Sequence, residues 1–277
     1  MLKNILVPQD GSKHSKTALE YSIYLAKRFH ANLIGLHVID IVALEGPFLH
    51  DLSGSLGFEP FFNFSSKMRE ALEEKGRIVL NDFSDTCKRE NVKHETILET
   101  GIVANEICER ANLSDLIVIG RHGINVEFKH GLLGSTAERV MRKSSQPVMV
   151  VSDRFEEITN PLIAYDGSAP ASKALHYAAE FSKTIRLPLT IATLSKGSSP
   201  SAALKDAEEY LKPYNINTKF VLLEGDTSDE IIKYYKENSH NLIFVGFLGH
   251  TKIYEMVLGS TTEYIMRNMD GPVFAAR

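Results

Sequence analysis

The chain is written twice. Asn4–Ser12 reads NILVPQDGS and Asn160–Ser168 reads NPLIAYDGS, while Gly134–Arg142 reads GSTAERVMR and Gly259–Arg267 reads GSTTEYIMR. Pro-Val follows each copy of the second block at the same distance, at Pro147-Val148 and Pro272-Val273. Whatever fold one half adopts, the other must adopt too. Asp10 and Asp166 lie 156 residues apart, and Ala18, Ser22, Leu25 and Phe29 keep that offset in Ala174, Ala178, Phe181 and Ile185. By Gly101 and Gly225 the offset is 124, so the first half carries 32 extra residues. They fall after Asp40, in a stretch holding Phe48, Phe58, Phe61, Phe62 and Phe64. Stacked small repeats have periods of ~20–50 residues. The pattern here instead predicts two whole domains, residues 1–153 with a Phe-rich insertion around 41–66, and residues 160–277, joined through the short polar stretch Asp153–Asn160.

Within each half, apolar runs of strand length alternate with stretches of helical period. In the first half the strands are read at Ile5–Val7, Asn32–Ile39, Val92–Leu98, Leu116–Ile119 and Val148–Val151. Helices are read through Ala18–Phe29, through Met68, Leu72, Val79 and Phe83, after Gly101, and at Ser135–Lys143. The second half repeats this order, from Leu162–Ala164 to Val273–Ala275. Five strands with intervening helices predict an α/β fold, a doubly wound parallel sheet in each half. In such sheets a ligand sits beyond the carboxyl ends of the strands, at the topological switch point.

Composition enters only to exclude. No stretch approaches the ~18 apolar residues of a membrane helix, and the N-terminus reaches Asp10 too soon for a signal peptide. The two cysteines, Cys87 and Cys108, make neither a disulfide framework nor a zinc cluster, and a reduced cytoplasm is the expected compartment. A net charge of −4 without a basic block gives no footprint for nucleic acid. The ten histidines show no metal-ligand spacing that recurs in both halves, so no metal site is expected.

The segment with chemical content is a glycine turn after the fourth strand of each half. In the first half Gly120-Arg121-His122-Gly123 is followed, after ten residues, by Gly134-Ser135-Thr136. In the second, Gly246-Phe247-Leu248-Gly249 is followed, after nine, by Gly259-Ser260-Thr261. Glycines let backbone approach a ligand closely. A helix N-terminus bearing hydroxyls offers unpaired N–H groups and partial positive charge, which favour phosphate.

G-x2-G-x9-G-[ST] after the fourth strand, with Asp-Gly-Ser after the first, resembles the universal stress protein family, and its duplication resembles the tandem form. The resemblance covers nearly the whole chain apart from the insertion. It implies Rossmann-like domains related to the adenine-nucleotide α-hydrolases, and adenine-nucleotide (ATP) binding, with or without Mg²⁺, by a stress-response regulator. In ATP-binding members the Asp lies by the ribose, the end of the second strand by the adenine, and the glycine loop by the phosphates. Carried over, this implies Asp10 at the ribose, Val38 at the base, and Gly120, Arg121, His122, Gly123, Gly134, Ser135 and Thr136 at the phosphates. The second-half counterparts are Asp166, Leu194, Gly246, Gly249, Gly259, Ser260 and Thr261. Both halves depart from the pattern: the first has one extra loop residue, and the second puts Phe247 and Leu248, which supply no donor, between the glycines. The family's single-domain members pair through their last strands, which implies that Val148–Val151 and Val273–Ala275 pair within this chain as an internal pseudo-dimer. The insertion is then free to serve a homodimer contact or a lid over the first site.

Blander readings stand beside these. Ser135-x-x-Glu138 and Ser260-x-x-Glu263 are capping boxes that stabilise helix starts without any ligand. Asp10-Gly11-Ser12 and Asp166-Gly167-Ser168 also suit a turn followed by a helix cap. Catalysis has little support. The chain lacks G-x4-G-K-[ST], G-x-S-x-G, S-G-G-x-D-S and H-x-G-H. The expected function is therefore a nucleotide-dependent switch acting on a protein partner, against the alternatives of a scaffold that binds no nucleotide and a slow ATPase.

Overall fold

The computed structural model describes residues 2–41, 61–124, 133–195, 202–225, 228–247 and 260–276. The first half runs β1 (Asn4–Pro8), α1 (Lys13–Phe29), β2 (Asn32–Asp40), α2 (Phe61–Arg89), β3 (His94–Gly101), α3 (Val103–Ala111), β4 (Leu116–Gly120), α4 (Ser135–Lys143) and β5 (Val148–Val151). The second runs β6 (Pro161–Ala164), α5 (Ala169–Ile185), β7 (Leu189–Ser195), α6 (Ala202–Leu211), a 3-10 turn at Lys212–Tyr214 and β8 (Thr218–Glu224). It finishes with α7 (Ser228–Glu237), β9 (Leu242–Gly246), α8 (Ser260–Asn268) and β10 (Val273–Ala276). The third strand starts later than its apolar run suggests. Asn91 turns into the left-handed region to end α2, and the Val92 amide is spent on the Cys87 carbonyl, so the ladder opens at His94.

All strands join one ten-stranded sheet in the order β3-β2-β1-β4-β5-β10-β9-β6-β7-β8. Pairs within each half are parallel. At the centre β5 and β10 run antiparallel, with Val148 opposite Ala275, Met149 opposite Phe274 and Val150 opposite Val273. The pairing expected between the last strands is present, and it relates the halves by a pseudo-twofold axis through Met149 and Phe274. Alternation along each strand sends side chains to two cores. Met149 and Val151 face the layer holding α1, α2, α5 and α6, whereas Val148 and Val150 face α3, α4, α7 and α8.

The same local devices appear in both halves. Asp10 and Asp166 each accept the amide two residues on, at 2.9 Å, and Ser12 and Ser168 cap α1 and α5. Gly11 and Gly167 take φ of +84° and +79°, which an L side chain rarely adopts. Asp115 accepts the amides of Lys3 and Asn4, and its counterpart Asn241 those of Thr159 and Asn160, fixing where the first strand of each half begins. The linker crosses α1. Phe155 packs edge-on against Tyr21 at 4.8 Å, the Tyr24 hydroxyl donates to the Ile158 carbonyl, and Arg28 pairs with Glu157.

Where the halves differ in the core they differ in complementary pairs. The ring of Phe83 on α2 lies over Gly35 of β2, with three ring carbons 2.6–2.9 Å from where a Cβ would stand. The corresponding positions in the second half are Ala207 on α6 and Ile191 on β7, both fully buried. Large-over-small in one half is small-over-large in the other, which conserves the filled volume. Gly35→Ala is therefore expected to destabilise the fold by about 1–3 kcal/mol through overpacking, and Phe83→Ala by about 3–5 kcal/mol through a cavity. The pair Gly35→Ile with Phe83→Ala, which copies the second half, should recover most of that loss in urea denaturation. A double variant no more stable than Phe83→Ala would contradict the exchange.

Candidate functional site

The strand order of the first half reverses between β1 and β4, and a cavity of about 720 Å³ opens beyond their carboxyl ends. Asp10, Val38, Gly120, Arg121, His122, Gly123, Gly134, Ser135 and Thr136 all border it. Every first-half residue singled out from sequence is thus gathered at one place. Leu36 and Val38 of β2, Val103 and Ile107 of α3, and Ile119 and Leu133 supply apolar wall.

Glycines shape the polar end. A Cβ on Gly123 would stand 2.8 Å from the second carboxylate oxygen of Asp10, and one on Gly134 would stand 2.8 Å from the Arg121 carbonyl. Both lie where a side chain would fill the cradle. The Gly134 amide donates to that same carbonyl at 2.9 Å, tying the glycine turn to the start of α4. Gly120 answers a different need. Its Cβ would strike the Cβ and carbonyl carbon of His14 at 2.7–2.8 Å, so this glycine lets α1 settle on β4. Gly246 does the same for α5, where a Cβ would collide with Pro170 and the Ala171 amide.

The first-half capping box is not formed. The N-cap of α4 is Gly134, and no side chain caps the helix. Ser135 is already the first helical residue, and Glu138 turns instead to Arg142, whose Nε and Nη2 donate to it at 3.1 and 2.9 Å. An i,i+4 ion pair on the helix surface has displaced the reciprocal cap. The first turn of α4 therefore presents amides to the cavity without a side-chain acceptor. Glu263 is likewise paired with Arg267.

Two residues on the wall, Gln9 and His37, and one beside it, His14, were not singled out from sequence. Gln9 is buried, and its Nε2 donates to the Ser15 carbonyl at 2.9 Å. His37 Nδ1–H donates to the Gln9 carbonyl at 2.7 Å, latching β2 to β1. Thr193 makes the equivalent bond to the Tyr165 carbonyl in the second half. His14, in the first turn of α1, meets His122 edge-to-face at 5.1 Å. The available signal was adjacency: Gln9 and His37 each sit beside a residue already chosen, and His14 follows the Asp-Gly-Ser turn.

Among the described residues the polar end carries little fixed positive charge. Burial lowers the His14 pKa, against the pull of Asp153 and of the Ser152 and Val151 carbonyls, with Arg121 lowering it slightly. Burial lowers His122 too, helped by His14 and Arg121. Both rings are neutral at pH 7. Arg121 departs from its expected place: the guanidinium is buried and its Nη1 donates to the Met266 carbonyl of α8, across the pseudo-twofold axis. Among the described residues no group of three or more His, Cys, Asp or Glu could hold a metal ion.

The second half assembles differently. Asp166 is exposed beyond β6, Leu194 is half-buried near the end of β7, and Ser260 and Thr261 open α8. Phe247, in the place of Arg121, is buried in the core, and Thr262, in the place of Ala137, donates its hydroxyl to the Gly246 carbonyl at 2.8 Å. Gly249, Gly259 and Leu248 lie outside the described residues, as do Phe48 and Phe58 and with them the lid and homodimer readings of the insertion.

The sequence profile of the universal stress protein family matches residues 1–152 and 195–277. The chain belongs to the universal stress protein family. A universal stress protein of Synechocystis sp. is 29% identical over 287 aligned positions, covering 100% of both chains. One of Methanocaldococcus jannaschii is 35% identical over 57% of this chain and 86% of its own. Among solved structures, a universal stress protein from Archaeoglobus fulgidus superposes with a TM-score of 0.81 at 26% identity, covering 99% of this chain and 98% of that one. Full-length matches to this universal stress protein agree with its duplicated pattern. Among the described residues no helix is long and apolar enough to cross a membrane.

The histidines set a pH dependence. His14, His37, His122 and His240 all titrate below the ordinary value of 6.5, each chiefly through burial. Below pH 6.5 the unfolded chain binds protons that the folded one refuses, so their contribution is complete above 6.5 and lost as pH falls below it. Each such proton costs about 1.4 kcal/mol per pH unit. The urea midpoint at pH 5.5 should therefore lie below that at pH 7.5. His14→Asn with His122→Asn should narrow the difference; an unchanged difference would remove these rings from the account.

Proposed function

We propose that the first-half cavity binds an adenine nucleotide, ATP with its accompanying Mg²⁺, and that the chain acts as a nucleotide-dependent switch in the stress response rather than as a dedicated enzyme. The observation that carries this reading is the uncapped start of α4 opening on a cavity shared by Asp10, Val38 and the glycine turn. Its volume lies within the ~300–1,000 Å³ of small-molecule sites.

The residues present fit the ligand part by part. Leu36, Val38 and Ile107 offer an apolar wall to a purine. Asp10 spends one carboxylate oxygen on the Ser12 amide and keeps the other beside Gly123, suited to ribose hydroxyls. Gly123, Gly134, Ser135 and Thr136 leave room and amides for phosphate, where the helix dipole favours negative charge. Two features support binding without efficient turnover. No lysine is among the described lining residues, and the Glu138 carboxylate is held by Arg142, which takes it out of the role of a base beside the phosphates.

We read the halves as domains, 1–153 and 160–277, with nucleotide in the first and the scaffold role in the second. What favours a scaffold there is the buried Phe247 and the Thr262–Gly246 bond, which use donor positions for packing. Nucleotide in the first half would order the glycine loop and alter the face offered to a cytoplasmic protein partner.

Calorimetry on nucleotide-stripped protein with ATP and Mg²⁺ should give one site per chain. Asp10→Ala should weaken binding by about tenfold or more, the loss of a charged hydrogen bond, while Asp166→Ala should leave it within about twofold. Two sites per chain would return the second half to nucleotide binding. No heat at millimolar ATP would leave the whole chain a scaffold.

A further inference from the structure

Arg121 is placed where the fold needs no charge. Its side chain is 7% exposed. Nη1 donates to the Met266 carbonyl in the last turn of α8, while Nε and Nη2 meet no acceptor among the described residues. Asp270 attracts it through space, yet burial dominates and lowers its pKa. A guanidinium carries five N–H donors, and leaving buried donors unpaired is unfavourable. The second half supplies the control. At the same position Phe247 is 1% exposed, in the apolar core. Packing alone is thus satisfied by a hydrocarbon side chain, and the charge of Arg121 answers to something else.

Its position says what. Arg121 stands between Gly120 and Gly123 on the cavity wall, and its carbonyl holds the Gly134 amide at the start of α4. Its guanidinium, by contrast, is tied to α8, the helix that begins at the glycine loop of the other half. One residue therefore meets the phosphate end of the first site through its backbone and the closing turn of the second half's corresponding helix through its side chain.

We propose that Arg121 is a two-position phosphate ligand, parked on the Met266 carbonyl while the first cavity is empty and drawn onto the phosphate chain of a nucleotide that enters it. The inference rests on the nucleotide reading of that cavity. Phosphate takes a guanidinium fork in two parallel charge-assisted bonds, each about twice as strong as a neutral one. The parked state has a single bond to a neutral carbonyl, so the exchange favours phosphate. Leaving Met266 unties α8, and occupancy of one half is thereby reported to the other.

The test compares wild type with Arg121→Phe, which copies the second half, and Arg121→Lys, which keeps the charge without the fork. ATP and adenosine are each titrated by calorimetry, and hydrogen exchange of residues 262–269 is followed with and without ATP. Arg121→Phe should weaken ATP about 10–100-fold, the size of a lost charged hydrogen bond, and leave adenosine unchanged. Arg121→Lys should fall between. ATP should speed exchange in 262–269 of wild type but not of Arg121→Phe, and the ligand-free Phe variant should melt at or above the wild-type temperature. Equal ATP affinity in all three proteins, or an α8 response that survives in Arg121→Phe, would overturn the proposal while leaving nucleotide binding intact. A Phe variant that fails to fold would make Arg121 a packing requirement and overturn it as well. Wild type that binds neither ATP nor adenosine would remove the nucleotide reading and this inference together.

Discussion

The structure depends on two four-residue strands paired at its centre. β5 and β10 are buried on every residue, and each is apolar throughout: Val148–Val151 reads VMVV and Val273–Ala276 reads VFAA. Left at the rim of a five-stranded sheet, either strand would be a flat apolar edge, the kind that recruits other chains. Pairing the two removes both edges and makes one sheet of two. The strands left at the rims are β3 and β8, which carry charge in Glu95, Glu99, Lys219 and Glu224 and are only partly buried. Because the central pair is antiparallel, the halves face each other across an axis, and residues on their glycine turns come within reach of the opposite half. Arg121 on Met266 is a direct consequence of that pairing.

A duplicated chain is free to change one copy so long as the fold's obligations are met in each. The core shows the obligation being met by exchange, as Gly35 under Phe83 answers to Ile191 opposite Ala207. The polar latches show it too. His37 to Gln9 and Thr193 to Tyr165 join the same two strands by different donors, and Asp115 and Asn241 seat the first strand by different acceptors. Where no such obligation applies, the halves diverge without compensation. Thr262 closes on Gly246 in the second half, while Ala137 leaves the first half's corresponding carbonyl alone. The uncompensated asymmetry described here therefore lies at the glycine turns.

Much of the fold was legible from periodicity, because strands buried on both faces read as continuous apolar runs and the repeat allowed each to be read twice. The pairing of the last strands followed from a family likeness and not from local pattern, since nothing in VMVV states its partner. The first-half site was legible as a set, for Asp10, Val38 and the glycine loop fall at strand ends that topology brings together. Three things were not. The string Ser-x-x-Glu cannot show that Glu138 prefers Arg142 to the helix amide, which depends on a competing side chain one turn away. His14 comes against His122 only because Gly120 lets α1 approach β4. The direction of the Arg121 side chain depends on the opposite half, more than a hundred residues away in sequence.

The polar end of the cavity gains its character from what has been withheld from it. Among the described residues, burial keeps His122 and the neighbouring His14 neutral, the Arg121 guanidinium faces the other half, and α4 starts without a side-chain cap. A site with fixed cations in place would bind small anions indiscriminately. On the reading proposed above, the favourable terms are helix amides and their dipole, which act within about one turn, and an arginine that must leave an existing bond. An anion therefore gains most when it is long enough to reach the start of α4 and Arg121 together while anchored by an apolar group against Leu36 and Val38. On the proposed nucleotide reading, selectivity for a phosphate chain carried on an aromatic base would follow from this arrangement more directly than from any single residue, and a free phosphate, lacking the anchor, would draw on only part of it.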